Sequence, residues 1–109
     1  MKIRGKECLL IGGKEMATYI LFGNYTQASI NDISADRTNQ TKSLIEKNGG
    51  KLEAGYALLG DVDLILIVDF PDADHAMKTS VALSKLLGVG FSTHPAVTIA
   101  AFDKLTADI

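Results

Sequence analysis

Asp61 and Asp63 stand two residues apart in "LLGDVDLI", and His75 and His94 are the only imidazoles in the chain. Paired carboxylates can do acid–base work, one holding the proton that the other gives up. In a turn the same residues have a plainer use. Asp61 then shapes the turn, and Asp63 accepts backbone hydrogen bonds where the next strand begins. His75 falls in the first turn of an expected helix, where an imidazole is ordinarily solvated. His94 precedes Pro95 at an expected strand entrance, and it is retained as a site candidate beside a structural role. No His, Cys or Asp spacing of the zinc kind surrounds either histidine, so no metal is expected.

The remaining candidates are for binding. Arg37 can clamp an anion with its planar fork, or it can form a solvent-facing salt bridge to Asp36. Tyr25 and Tyr56 are the phenols placed to border a cavity, and equally serve as half-buried sheet residues. Phe22, Ile65 and Ile67 supply apolar wall. "GGKE" (12–15) lacks the upstream glycine and the following Ser/Thr of a phosphate loop. "GVG" (88–90) is too short for a dinucleotide fingerprint, and no cofactor is expected. "ILFGNYT" resembles an RNA-contact strand, but stacking needs aromatics within a basic Gly-Phe motif on the third strand. "DLILIVDF" places aspartates there, so RNA binding is rejected.

The elements that position these residues follow from periodicity. "ATYILFGNYT" reads as a first strand over Thr18–Tyr25. Residues 26–47 read as helical, with Ile30, Ile33, Thr41, Leu44 and Ile45 near a period of 3.6 and Ser34 able to cap a second segment. "NGG" (48–50) stops the helix. "KLEAGYALLG" (51–60) alternates, Gly60 and Asp61 turn the chain, and "DLILIVDF" (63–70) is a third strand. "PDADHAMKTSVALSKLLG" (71–88) is a helix with Ala73, Ala76, Met77, Ser80, Leu83 and Leu87 on its apolar stripe. "AVTIAAF" (96–102) is expected as the last strand, entered at Pro95.

This order is β-α-β-β-α-β, an α+β ferredoxin-like split unit. Right-handed crossovers put strands one and three at the centre of a four-stranded antiparallel sheet, with both helices on one face. The aliphatic run Leu64–Val68 then raises a difficulty, because alternate residues must face away from the helices. Burying an Ile or Leu side chain stabilises by about 1.5–3 kcal/mol, against a domain stability of about 5–15 kcal/mol. A homodimer packed sheet on sheet is therefore expected, with a cavity or seam between subunits. The alternative cover is an N-terminal leader or the C-terminal "DKLTADI".

Two stretches, "YILFGNYTQASI" (19–30) and "GGKLEAGYALLGDVDLILIVDFPDADHAMK" (49–78), resemble the GYD domain family of small bacterial proteins. The resemblance runs from about Met16 to Lys104. The family's Gly-x-Tyr-Asp motif reads Gly60, Asp61, Val62, Asp63 here, so the glycine and aspartate carry over while Val62 replaces the tyrosine. The resemblance implies a ferredoxin-like dimeric α/β barrel and no fixed activity. Barrel relatives include monooxygenases, isomerases and effector-binding modules, an analogy of fold alone.

Bulk properties bound the rest. The 109 residues suit one domain, and 47% hydrophobic with 22% charged residues is a globular composition. Eleven basic and thirteen acidic side chains leave a charge of −2, which does not advertise nucleic acid or anionic lipid. Apolar runs are too short for a membrane helix. The lone Cys8 permits no intrachain disulfide and suits a reducing cytoplasm. Met16 precedes the first strand, and residues 1–15 are read as a leader or arm from an upstream start, ahead of a domain over 16–109. Two functional expectations follow. One is a homo-oligomeric module binding a small apolar or weakly anionic molecule between subunits. The other is a small barrel enzyme using His94 or Asp63 as acid or base.

Overall fold

In the computed structural model, which describes residues 9–11, 14–31 and 34–109, the chain runs through nine elements. They are β1 (Leu9–Ile11), β2 (Lys14–Tyr25), α1 (Gln27–Asn31), α2 (Ala35–Lys47), β3 (Lys51–Ala57), β4 (Leu64–Phe70), α3 (Ala73–Leu87), β5 (Val89–Ala96) and α4 (Ile99–Leu105). Among the described strands the main sheet has the order β3-β4-β2-β5, all pairs antiparallel, and β1 pairs with the start of β2. The two aliphatic strands thus lie side by side at the centre, as their composition requires. Of the residues read as a leader, 1–8 and 12–13 lie outside the described residues, and Cys8 with them; Ile33 is outside them too.

Local chemistry explains the helix ends. Ser34 caps α2 by accepting the Arg37 N–H at 3.1 Å, splitting the 26–47 segment into a short turn of helix and a longer helix. Asp72 caps α3, its carboxylate accepting the His75 N–H at 2.9 Å. Gly88 ends α3 with φ +69°, a left-handed conformation that a side chain would strain. Both long helices pack on one sheet face. Ile45 of α2 and Ala76, Leu83 and Leu87 of α3 join Tyr19, Leu21, Leu66, Val68, Phe70 and Val89 in one core.

The end of the chain differs from the expectation. The last strand is Val89–Ala96, and residues 99–105 are helical. β-Branched residues in "AVTIAAF" mimic a strand. What decides is Thr98, whose hydroxyl accepts the Ala101 N–H at 3.0 Å and starts a helix instead. Pro95 is therefore inside the strand near its end, not at its entrance. It is tolerated because β5 pairs with β2 alone, and an edge strand can spare an N–H. Met77 is also off the buried stripe of α3; Thr79 takes that place with no exposed surface. Ile30 lies largely in solvent, and Ser29 is the buried residue of α1.

Candidate functional site

The register of the sheet lays out its helix-free face row by row, because directly paired residues share a face. One row reads Tyr56, Ile65, Phe22, Ser92, and the next reads Ala54, Ile67, Ile20, His94. A third row reads Lys51, Asp69, Thr18, Ala96. Five sequence candidates therefore meet on one surface: Phe22, Tyr56, Ile65, Ile67 and His94. Phe22 and His94 touch edge to face, with ring centroids 5.3 Å apart. Ile20, Phe22, Ile65 and Ile67 are half-buried, while Tyr56 and His94 are exposed. A shallow depression of about 610 Å³ opens beside them, lined by Phe22, Asn24, Val62, Phe91, Ser92 and His94.

His94 has a partner that the sequence reading missed. Its Nε2 lies 2.7 Å from Ser92 Oγ, since residues two apart on a strand share a face. With residues 88–90 taken only as a helix stop and the strand begun at Ala96, that i,i+2 relation could not register.

Asp63 is used by the backbone. Its carboxylate accepts the Tyr25 N–H at 2.9 Å, its own N–H donates to the Gly23 carbonyl at 3.0 Å, and its carbonyl accepts from Leu58 N–H at 2.9 Å. It ties the end of β2 to the β3–β4 connection, the plainer of its two sequence readings, and Asp61 lies exposed in that connection. Asp63→Ala is expected to cost about 1–3 kcal/mol through the stranded Tyr25 N–H, read as a lower urea midpoint. Asp63→Asn, which keeps an acceptor oxygen, should recover most of it.

Tyr25 and Arg37 are on the other side of the sheet. Arg37 Nη1 donates to the Ser29 carbonyl at 2.7 Å, and the guanidinium lies 5.9 Å from the Tyr25 ring centroid. It forms this contact rather than a surface ion pair with Asp36. His75 is bound into its helix cap, with Nδ1 2.6 Å from Asp72 Oδ1. That contact holds the Asp72 carboxyl below its usual range.

Among the described residues, the most perturbed group is one the sequence candidates omit. Asp69 sits on the helix-free face with 1% exposure. Its Oδ1 accepts the Thr18 hydroxyl at 2.7 Å, and Oδ2 meets no donor. The neighbouring group is the Glu53 carboxylate, itself 3.8 Å from Lys51 Nζ. Two carboxylates form a hydrogen bond only when one carries a proton. Burial first, then this contact, raises Asp69 from 3.8 to about 6, while Thr18 and Lys51 pull the other way. Glu53 falls where the β3–β4 register shifts between Leu52 and Ala54, a bulge of the kind that re-aims a side chain. An aspartate inside an aliphatic strand was the available signal.

Among the described residues no group of three or more His, Cys, Asp or Glu converges on a metal position, and no helix is long and apolar enough to cross a membrane. The GYD domain family model matches residues 19–106. A search of the curated proteins found no match.

Proposed function

The chain belongs to the GYD domain family, and we propose that it acts as a cytoplasmic homo-oligomeric module whose subunits pack sheet on sheet and bind a small apolar or weakly anionic molecule in the seam. The observation that carries this reading is the pair of adjacent rows holding Ile65 beside Phe22 and Ile67 beside Ile20, half-buried in one chain. A second copy would remove that apolar surface from water. His94 and Ser92 at one border would supply the polar contacts that orient a ligand. The C-terminal segment offers little competing cover. Ile99, Phe102 and Leu105, spaced by three on α4, are 78, 54 and 66% exposed, and Ile109 is 99% exposed. These side chains add a second unburied stripe that an assembly could cover.

Sedimentation equilibrium at micromolar concentration tests the assembly, and native mass spectrometry tests for a co-purifying small molecule. A single sedimenting monomer would remove the reading.

A second reading is a small barrel enzyme of monooxygenase or isomerase type, with His94 or Asp63 as acid or base. Ser92 is what favours His94, because a hydrogen bond at Nε2 fixes the ring's orientation. A fluorophosphonate probe tests whether His94 activates Ser92. Labelling of Ser92 that His94→Gln abolishes marks an activated couple, and a binding module leaves the probe unreacted.

A further inference from the structure

The helix side of the sheet holds a pocket of about 400 Å³ between α2 and the β3–β4 pair, with Tyr25, Arg37, Thr41, Leu52, Leu64 and Leu66 among its walls. It lies across the sheet from the rows of Ile67 and His94, and it shares with the proposed seam only Tyr56, at the sheet's edge strand. Among the described residues, Arg37 is the sole charged side chain lining it and forms no ion pair. Its guanidinium is nevertheless held, by the Ser29 carbonyl at one nitrogen and by the Tyr25 ring. A cation fixed in position, with donors to spare and no anion paired to it among the described residues, loses little freedom on meeting one.

The rest of the wall divides into a hydroxyl-bearing side, with Ser34, Thr38 and Thr41 near Arg37, and an apolar side. Leu52, Leu64, Leu66 and Leu87 contribute to it, and Gly55 keeps it open. A Cβ at Gly55 would lie 3.2 Å from Leu66 Cδ2 and begin to fill the space. Pockets that take small ligands run from roughly 300 to 1,000 Å³, so this one sits at the small end. A ligand carrying several negative charges would meet a single cation in this lining. A hydrocarbon body ending in one planar carboxylate fits both the wall and the fork.

We infer that this pocket binds a small monocarboxylate with an apolar body, its carboxylate on Arg37 and its body against Leu52, Leu64 and Leu66. The test is calorimetric titration of the full chain with octanoate and, separately, with neutral octanamide, with amide chemical shifts mapped by NMR. Octanoate is expected to saturate at one per chain and to bind at least tenfold more tightly than octanamide, shifting Leu52, Gly55 and Leu64. Arg37→Met should erase the acid–amide difference, and Gly55→Val should weaken both probes. Val81→Thr, an exposed position on α3 outside both sites, should change neither. Equal binding of acid and amide to the unaltered chain, absence of saturation, or shifts confined to Ile20, Phe22 and Ile67 would overturn the inference. Because the comparison on the unaltered chain decides alone, a variant that fails to fold does not rescue it.

Discussion

Asp69→Asn is expected to stabilise the protein at neutral pH and to flatten its pH dependence between about 4 and 6. The folded state holds the Asp69 proton more tightly than the unfolded chain does, with a pKa of about 6 against 3.8. The stabilisation from that proton is complete below the unfolded value. It declines as pH rises through the interval and is gone above the folded value. A shift of this size corresponds to about 3 kcal/mol at most. Asp69 itself has almost no accessible surface, but few atoms lie beyond its immediate neighbours, so water screens part of the effect. About 1–2 kcal/mol is the reasonable expectation, or roughly 4–15 °C in Tm for a domain this size. Asparagine keeps an oxygen for the Thr18 hydroxyl, and its amide can donate to Glu53 without a proton being taken up.

The measurement is Tm across pH 4.5 to 8 for both proteins. Asp72 acts in the opposite sense. Its carboxyl is held low by His75, so its contribution is lost as pH falls. The difference between wild type and variant removes that background. Identical pH profiles for the two proteins would contradict the assignment of the raised group to Asp69. A carboxylate kept at such cost on the face proposed to meet a ligand is also a reason to look there for function.

The reach of the sequence can be judged from the same residues. The central pair of strands was legible because Ile and Leu on both faces of "LILIV" demand neighbours on each side. The split after Asn31 was legible because serine caps helices for a definite reason, an oxygen facing free N–H groups. "VGFSTHPA" was not read as a strand because glycine and proline weaken strand propensity, and only edge pairing with β2 overrides that. The Ser92–His94 pair vanished with that strand. Glu53 beside Asp69 could not be read either, since it depends on a register shift that local pattern does not encode. Arg37 was legible as a candidate anion clamp, but its fixing by Ser29 and Tyr25 depends on how α1 and α2 fold against β2.

The proposed assembly has the sharpest consequence of all. Ile67 lies at the middle of the helix-free face, paired with Ile20 on one side and Ala54 on the other. A two-fold interface uses each surface residue twice, so Ile67→Glu would bury two carboxylates in the seam. Burying an uncompensated charge costs several kcal/mol per ion even after relaxation. The dimer dissociation constant should therefore rise by at least about a thousandfold, as each 1.4 kcal/mol is a factor of ten. In the isolated subunit the same residue is only half-buried, and strand propensity changes there amount to about 1 kcal/mol or less. The variant should thus sediment as a folded monomer, with the far-ultraviolet circular dichroism of the parent. Ile67→Thr, neutral and still β-branched, should weaken association by a much smaller factor. If the dimer is required for folding, Ile67→Glu will lose structure while Ile67→Thr keeps both fold and a concentration-dependent mass. An unchanged sedimenting mass for Ile67→Glu at every concentration would show that this face is not the seam between subunits.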